Sequence, residues 1–463
     1  MELSDKAYQE ALDYIYSFVD LGLTRNLRYS PEKFNLDRMN ELMKMLGNPQ
    51  KDYQVIHIAG TKGKGSTAAF IESVLRSASY KTGFYSSPHL QDYSERIQTN
   101  GKKISNEDFV KFVEEIKPFV ALIPGLSTFE ITTAIGFLYF SRQQVEFAVV
   151  EVGLGGRLDA TNIVEPLVSV ITSLSLDHTN VLGDTLAKIA TEKAGIIKQN
   201  RPAVLAPQNE EALQVVRRVA EQQNSKITHI GTDILYASQD KSLEGQHFFL
   251  WEKNEQSLVD DFLGTGEQSG WEPHSFFIPL LGFHQIQNAV TAYGAIKVIK
   301  ENGFKISDNA ILDGFSSVYW PGRFEIIQKK PLIIVDSAHN RDSALKLRLT
   351  IDDYLPGAPV ILIFGASEDK DVEGMFAELL PRVERVIVTK STHPRALETQ
   401  TIVKLAQKFG SPTIETGSVE EALEIATQFS NHNNVILVTG SLFVAAAVKA
   451  ILNKSVMPTS IID

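Results

Sequence analysis

The chain has 463 residues, more than one ordinary domain contains, so two domains are expected. A hydrophobic content of 43% and a charged content of 22% are typical of soluble globular proteins, and a formal net charge of −11 argues against a general nucleic-acid surface. The chain contains no cysteine, which excludes disulfides, thiolate metal sites and a cysteine nucleophile. The N-terminal residues lack the basic-then-apolar pattern of a secretion signal, and no apolar run approaches the ~20 residues of a membrane span. These properties predict a cytoplasmic enzyme that binds neither nucleic acid nor a membrane.

Two amphipathic helices are predicted for residues 4–46, ahead of the first strand. Apolar residues at helical spacing end at Leu46, and the sequence Gly47-Asn-Pro49 then breaks the pattern. A packing hairpin is the interpretation that these residues support by themselves.

A glycine-rich turn then separates a predicted strand from a predicted helix. The apolar run 55–59 predicts a buried parallel strand, and Ser66 and Thr67 open a helix whose apolar residues fall on one face. Backbone N–H groups of the turn at 60–65, together with the unpaired donors of the helix start, can surround a phosphate. The stretch therefore predicts an anion site at the end of the strand.

Two side chains complete this predicted phosphate site. Lys64 supplies positive charge toward the phosphates, and Ser66 supplies a hydroxyl that can hold Mg²⁺. The pattern departs from the standard P-loop, because Gly65 follows the lysine and Ile58 stands where the first glycine belongs. An ordinary tight turn is the alternative interpretation of this motif alone.

A second strand, predicted over residues 147–152, carries Glu151 near its carboxyl end. Ligands bind at the carboxyl ends of strands in open parallel sheets. A buried carboxylate is costly unless it is paired or binds a metal, so Glu151 is a candidate metal ligand. A salt bridge with Arg157 is the structural alternative.

Two further candidates follow the strand predicted at 167–171. His178 lies in the loop after that strand, and Lys193 lies in an otherwise apolar helical pattern. Considered alone, the histidine would be solvated and the lysine would extend along the surface to reach water. Residues 231–275 are polar and predict an irregular hairpin excursion, not a domain. The breaker pair Pro321-Gly322 predicts a domain boundary between residues 318 and 322.

Strands and helices alternate from residue 332 onward. The strand candidates are Leu332–Val335, Val360–Phe364, Val386–Thr389 and Val435–Thr439. This alternation predicts a parallel sheet with flanking helices. Asp336 follows the first of these strands, and an aspartate in such a position commonly caps a helix or a loop.

Several motifs, in order along both halves of the chain, resemble folylpolyglutamate synthases and dihydrofolate synthases, a branch of the Mur ligase superfamily. The motifs are Gly60-Thr-Lys-Gly-Lys-Gly-Ser-Thr67, Ser87-Pro-His-Leu90, Gly153-Leu-Gly-Gly-Arg-Leu-Asp159, Leu176-Asp-His178, Pro321-Gly-Arg323, Asp336-Ser-Ala-His-Asn340 and His393-Pro-Arg395. The usual family form has asparagine where this chain has Lys62, which predicts a second positive charge beside the phosphates.

The resemblance implies a role for each matching residue. The implied nucleotide-binding residues are Gly60, Thr61, Gly63, Lys64, Gly65, Ser66, Thr67, Asn288 beside the adenine, Arg323 toward the phosphates, Asp336, His339 and Asn340. The implied catalytic residues are Lys64, Glu151, His178 and Lys193. Two Mg²⁺ ions are implied, one held by Ser66 and Glu151, the other by Glu151, His178 and a Lys193 carboxylated by CO₂. The implied substrate-binding residues are Ser87, Pro88, His89, Arg157, Asp159 and His393.

The fold implied is α/β: a P-loop-containing, Mur-ligase-like ATPase domain with a mainly parallel sheet over residues 1–318, and a smaller Rossmann-like α/β glutamate-ligase domain over 322–463. The resemblance implies a monomeric, ATP-dependent amide ligase that works through an acyl phosphate. This enzyme would add L-glutamate to folates, including tetrahydrofolate polyglutamates, and to dihydropteroate. The alternatives are a cell-wall-type Mur peptide ligase, which the Gly-Lys-Gly-Ser loop and Ser-Pro-His-Leu disfavour, and a P-loop ATPase without ligation.

Overall fold

The first sheet carries the glycine-rich loop on its central strand. In the computed structural model, which describes residues 3–18, 35–265, 271–431 and 433–456, its strands are β1 Gln54–Ala59, β2 Thr82–Tyr85, β3 Ile97–Thr99, β4 Lys102–Lys103, β5 Phe147–Glu151, β6 Val168–Ile171, β7 Ala203–Leu205 and β8 Ile227–His229. They form one eight-stranded sheet in the order β4-β3-β2-β5-β1-β6-β7-β8. The strands from β2 to β8 in this order pair in parallel, and β3 and β4 add an antiparallel edge. The mainly parallel sheet predicted from the sequence is confirmed.

Helices cover both faces of this sheet, because alternate residues of its central strands point to opposite sides. The helices are α1 Leu3–Tyr16, α2 Asp37–Met45, α3 Lys64–Ser77, α4 Asn106–Val120, α5 Thr128–Arg142, α6 Thr179–Leu182, α7 Leu186–Ala194, α8 Glu210–Gln222, α9 Gln256–Thr265, α10 Phe283–Glu301 and α11 Asp308–Ser316. Ile56 and Ile58 of β1 pack in one core with α3, α10 and α11, whereas Val55 packs in another with α1, α2, α4 and α5. The helical prediction for residues 4–46 is confirmed where α1 and α2 lie, and its part over 19–34 lies outside the described residues.

The segment predicted as an irregular excursion is regular. Its strands β9 Ile234–Ser242, β10 Gly245–Glu252 and β11 His274–Ile278 form an antiparallel sheet in the order β11-β10-β9. The polar composition misled the prediction because most of β9 is exposed, while Phe248 and Phe276 turn inward to the core beside α11. Gln246 of β10 donates to the Leu280 and Gly282 carbonyls at 2.6 and 2.9 Å.

The second sheet contains every strand predicted after residue 331 and two more. Its strands are β12 Glu325–Lys329, β13 Leu332–Val335, β14 Val360–Phe364, β15 Val383–Val388, β16 Thr413–Glu415 and β17 Val435–Thr439. The order is β12-β13-β17-β14-β15-β16, with all pairs parallel except β12 with β13. The flanking helices are α12 Arg341–Tyr354, α13 Val372–Leu379, α14 Thr399–Lys408, α15 Val419–Phe429 and α16 Leu442–Val456. This arrangement confirms a second, smaller α/β domain with a Rossmann-like parallel sheet.

The connection between the two sheets is held from both sides. Trp320 packs edge-on against Phe84 of the first domain, with a ring-centroid separation of 5.4 Å. Two residues on, the Gly322 amide donates to the Glu325 side chain at 2.8 Å, and Lys449 of α16 binds that same side chain at 2.6 Å.

Among the helices that the structure describes, none combines the length and apolarity needed to cross a membrane.

Candidate active site

Backbone hydrogen bonds fix the conformation of the glycine-rich loop. The amides of Thr61 and Lys62 both donate to the Ser173 carbonyl, at 2.9 and 3.1 Å, which ties the loop to the segment after β6. Gly63 caps α3 with φ of +87°, and a Cβ at this position would lie 2.2 Å from the Asn288 side-chain oxygen. Both the backbone angle and the close approach therefore require glycine here. The helix begins at Lys64, two residues before the predicted start at Ser66.

Lys64 and Glu151 face each other across neighbouring strand ends. Ile58 of β1 is in register with Glu151 of β5, so the loop after β1 lies beside the end of β5. The Lys64 ammonium is 3.8 Å from one Glu151 oxygen, and the Ser87 amide donates to the other at 3.3 Å. Burial raises the pKa of Glu151, and the Lys64 charge opposes that rise.

The alternative interpretation, a salt bridge between Glu151 and Arg157, is wrong. The Arg157 guanidinium binds Glu192 at 2.8 Å instead, on the surface beside α7. The reason is the compact loop 153–159, which carries Arg157 toward the main chain of α7, where its amide donates to the Glu192 carbonyl at 2.7 Å. Arg157 thus holds the loop to α7, and substrate binding by this residue stays a prediction.

Lys193 is buried against the nucleotide loop, so its interpretation as a surface lysine is wrong. Its Nζ atom donates to the Gly60 carbonyl at 2.8 Å, and the residue is only 6% exposed. Burial, together with the charge of Lys64, lowers the pKa of Lys193 to about 7. A buried amine of this kind is partly neutral near neutral pH, which makes it nucleophilic.

His178 opens the short helix α6 with φ of +49°, and its side chain is exposed. It follows Asp177, whose carboxylate accepts from the His178 amide at 3.0 Å. Ser66 is buried in the first turn of α3. Among the described residues, no three His, Asp or Glu side chains converge as a ready metal site. Ser66 and Glu151 supply the hard oxygen atoms that Mg²⁺ prefers, so the donor set beside Lys64 fits that ion.

Asn288 and its neighbours form a cleft beside the nucleotide loop. The lining residues are Lys62, Gly63, Ser173, Ala206, Pro207, His284, Gln287, Asn288 and Lys346. The Asn288 amide donates to Gln285 at 3.0 Å, which fixes its orientation next to Gly63. Lys346 of α12 also lines the cleft, so both domains reach it, and adenine binding beside Asn288 stays a prediction.

The linker arginine, Arg323, is half-buried and close enough to Asp336 for their charges to interact. Arg323 donates to the Gly322 carbonyl at 3.0 Å and to the Ser337 hydroxyl, and its charge also opposes the raised pKa of Glu151. Asp336 accepts from the amides of Phe324 and Ala338, both at 2.8 Å, so its carboxylate organises the linker and the loop after β13. This geometry matches the loop-capping alternative for Asp336.

The start of α12 reaches the first domain. Asn340 caps α12 by accepting from the Ser343 amide at 3.0 Å, and its side-chain amide donates to Asp177 at 3.1 Å. The same Asp177 oxygen receives Lys62 at 2.9 Å. The Lys62 charge is therefore paired with Asp177, and its place beside the phosphates stays a prediction. Asp177 was missed by sequence reasoning, although its place next to His178 in the Leu-Asp-His motif was the available signal.

The remaining substrate candidates make local contacts. His89 accepts from Arg96 at 3.1 Å, and Pro88 lies beside it in the loop after β2. Asp159 is buried and accepts from the amides of Leu154 and Thr161 at 2.9 and 3.0 Å, which holds the loop after β5. His393, in the second domain, stacks on Phe443 with ring centroids 4.1 Å apart. The described hydrogen bonds thus show what holds these residues, and their contact with substrate stays a prediction.

Comparison with known proteins decides the family. The Mur ligase middle-domain model matches residues 58–296, and the Mur ligase glutamate-ligase-domain model matches residues 322–442. A dihydrofolate synthase/folylpolyglutamate synthase from Bacillus subtilis (strain 168) is 35% identical over 444 residues, which cover 94% of this chain and 97% of the relative. The chain belongs to the folylpolyglutamate synthase/dihydrofolate synthase family of Mur ligases.

Solved structures of family members share this fold. Mycobacterium tuberculosis folylpolyglutamate synthase complexed with ADP superimposes with a TM-score of 0.85 at 30% identity, covering 97% of this chain and 98% of that one. Escherichia coli FolC in complex with DHPP and ADP gives a TM-score of 0.83 at 28% identity, covering 98% of this chain and 100% of that one. The matches span both domains of this family member.

Proposed function

We propose that this chain is an ATP-dependent ligase that joins L-glutamate to folates, tetrahydrofolate polyglutamates among them, and also to dihydropteroate. One observation carries the proposal: Lys64 of the glycine-rich loop lies beside Glu151, Lys193 donates to the Gly60 carbonyl, and His339 of the second domain lies 3.3 Å from Lys62. Family membership and the relatives' names, which state folylpolyglutamate and dihydrofolate synthase activities, support it.

The first half of the proposed reaction activates the acceptor carboxylate. A carboxylate oxygen attacks the γ-phosphorus of ATP, the bond to the β–γ bridging oxygen breaks, and an acyl phosphate and ADP form. Phosphoryl transfer depends chiefly on positioning and charge neutralisation. The donors at the α3 N-terminus and the Lys64 ammonium supply both at the phosphates. Mg²⁺, when bound by Ser66 and Glu151, would add further charge neutralisation there.

The second half forms the amide. The neutral amine of glutamate attacks the acyl carbon, the carbon–oxygen bond to phosphate breaks, and the amine loses a proton. Since the motif around His393 lies in the second domain, closure of that domain over the acyl phosphate would bring the glutamate-binding surface to the acceptor. We propose that the enzyme works as a monomer, because the two domains of one chain supply all the site residues. We also propose that it works in the cytoplasm, where ATP is available.

Carboxylation of Lys193 is part of this proposal. A neutral lysine amine adds to CO₂ and releases one proton, which gives a carbamate anion. With Glu151 and His178, that anion would complete an oxygen-rich set for a second Mg²⁺. Burial of Lys193 next to the loop and its pKa of about 7 support the step, because an appreciable fraction of the amine is neutral near neutral pH.

Replacing Glu151 by glutamine tests the first metal ligand. We expect the Mg²⁺ concentration needed for half-maximal activity to rise about 10-fold or more, since a neutral amide is a weaker ligand for a hard dication. Titration of ADP release with Mg²⁺ measures the change. Glu165→Gln, which removes an exposed carboxylate in the same domain, is the matched control and should leave the titration unchanged. If Glu151→Gln also leaves it unchanged, Glu151 serves only as the ion-pair partner of Lys64.

We propose a domain boundary at residues 318–322, which limited proteolysis can test. Tyr319 is 69% exposed, so the first cuts should fall at 318–323, and nucleotide should slow them if domain closure covers the linker. A chain of residues 1–318 should fold but fail to ligate, because it lacks Arg323 and His339. Mass spectrometry of the first fragments, with and without ADP, locates the cuts. First cuts elsewhere, with no nucleotide effect at the linker, would place the boundary differently.

ADP formation, measured with and without L-glutamate and with and without a pterin acceptor, tests the proposed function. We expect rapid ADP release only when both L-glutamate and a pterin acceptor are present, because the acyl phosphate needs a carboxylate and then an amine. Acceptor-independent hydrolysis would favour an ATPase without ligation. Activity with a nucleotide-linked peptide acceptor in place of the pterin would favour a cell-wall-type ligase.

A further inference from the structure

Lys62, Asp177, His339 and Asn340 form a polar cluster between the two domains, here called the interdomain bridge. The Lys62 ammonium lies 2.9 Å from one Asp177 oxygen, and the Asn340 side-chain amide donates to the same oxygen at 3.1 Å. The Nε2 atom of His339 is 3.3 Å from the Lys62 ammonium. The cluster thus joins the nucleotide loop, the segment after β6 and the two residues that precede α12.

The ion pair at the centre of the interdomain bridge is largely shielded from water. The side chains of Lys62 and Asp177 are only 14% and 13% exposed. Pairs on an open surface contribute little because water and salt screen them, whereas removing one partner of a shielded pair leaves the other charge uncompensated. Both charges belong to the first domain, so the bridge acts on the second domain through His339, which lies 3.3 Å from Lys62, and Asn340, which donates to Asp177.

The Lys62 side chain is not needed to hold its own loop. The loop backbone is fixed by the amides of Thr61 and Lys62 on the Ser173 carbonyl, and the Thr61 hydroxyl donates to the Ser175 carbonyl at 3.1 Å. These bonds use no atom of the Lys62 side chain. A substitution at Lys62 should therefore change the interdomain bridge and leave the fold of the loop intact.

We propose that Lys62 is a positioning residue: it contacts His339 and orients Asp177 to accept from Asn340, which together hold the second domain against the nucleotide loop in the reactive arrangement. The inference rests on the proposed ligase function, since its benefit is correct placement of the second domain for amide formation. Lys62 acts through Asp177 and Asn340 and touches no reacting atom in this role. The competing interpretation is that Lys62 binds the nucleotide phosphates directly, as its place in the loop suggests.

A substitution series separates the two roles. Lys62→Met removes the charge and keeps the length, Lys62→Arg keeps the charge, and Lys408→Met removes an exposed ion pair with Glu373 as a control. We expect Lys62→Met to lower kcat about 10-fold while the Kd for ADP changes less than about twofold, because a positioning role is expressed in turnover and not in nucleotide affinity. Lys62→Arg should recover most of kcat, and Lys408→Met should match the wild type. A rise in Kd with kcat unchanged would overturn the proposal in favour of direct phosphate binding.

A double-mutant cycle tests the partner. If Lys62 acts through Asp177, the double variant Lys62→Met/Asp177→Asn should lose no more activity than the more damaging single variant, within about twofold. If the loss of activity in the double variant equals the product of the two single losses, the residues act independently and the proposal is overturned.

Distance measurements test the positioning itself without relying on ligation. Because the chain has no cysteine, cysteines introduced at the exposed positions Glu210 and Lys404 would carry the only spin labels. With ADP bound, the label-to-label distances should form one narrow population in the wild type and gain a longer population in Lys62→Met. Identical distributions would refute the bridge even if ligation is confirmed. A shifted distribution would support it even if the substrate turns out to be different, so the two proposals fail separately.

Discussion

Replacement of Lys64 by alanine is expected to abolish ligation while the protein stays folded. The ammonium group is predicted to face the phosphates from the first residue of α3, and its loss removes neutralisation where negative charge develops. A drop of about 10³-fold in kcat/KM is expected from losing one such group. The measurement is labelled-glutamate incorporation at saturating ATP.

Stability should not depend on Lys64. A lysine at a helix N-terminus is unfavourable for the helix dipole, so alanine there removes an electrostatic cost. The loss of its contact with Glu151 is offset because that carboxyl group, whose pKa burial already raises, can take up a proton. Thermal unfolding should therefore be close to that of Lys102→Ala, an exposed control in β4 that should retain full activity. Near-normal turnover in folded Lys64→Ala would refute the phosphate assignment.

Replacement of Lys193 by alanine should be nearly as damaging, because the proposed carbamate and its negative charge disappear. The substitution leaves space beside the Gly60 carbonyl, so acetate or propionate should restore part of the activity by supplying the missing carboxylate. Lys188→Ala is the matched control, since that lysine lies on the same helix with its side chain 63% exposed. Loss of activity without rescue, in a protein that melts at a lower temperature, would assign Lys193 a purely structural role.

The carbamate also predicts a pH and bicarbonate dependence. The pKa of Lys193 is lowered to about 7, so the amine is mainly neutral above that pH and mainly protonated below it. Only the neutral amine adds to CO₂, so bicarbonate depletion should lower activity most below pH 7, and bicarbonate added above pH 7 should restore it. A crystal structure grown near neutral pH with Mg²⁺ and bicarbonate that shows an unmodified Lys193 would contradict the modification.

The central strands of the fold were predictable because they are buried on both faces. Val360–Phe364 and Val435–Thr439 are continuous apolar runs, and the structure reproduces their predicted bounds. The edge strands β12 and β16 were missed, since an edge strand is partly exposed and its polar residues weaken the apolar signal. The same cause hid the regular sheet in residues 231–275, where exposed residues of β9 are polar.

Within the candidate site, local motifs were informative and long-range pairing was not. The loop at 60–67 and the carboxylate of Glu151 were visible as a glycine-rich turn and a charge at a strand end. The partners of Arg157, Lys62 and Lys193 depend on how distant segments meet, and Lys193 lies 133 residues from the Gly60 carbonyl that it contacts. Sequence spacing carries no information about such contacts, which is why the alternative pairing of Glu151 with Arg157 was wrong.

The most direct test of the central claim is an acceptor panel with ATP and labelled L-glutamate. The acceptors are dihydropteroate, tetrahydrofolate and a mono-glutamylated folate, and the product is followed by mass and by label. We expect label to enter at least one acceptor with one ADP formed per glutamate added, and no product with Lys64→Ala. Turnover of ATP without label in any acceptor would contradict ligase function.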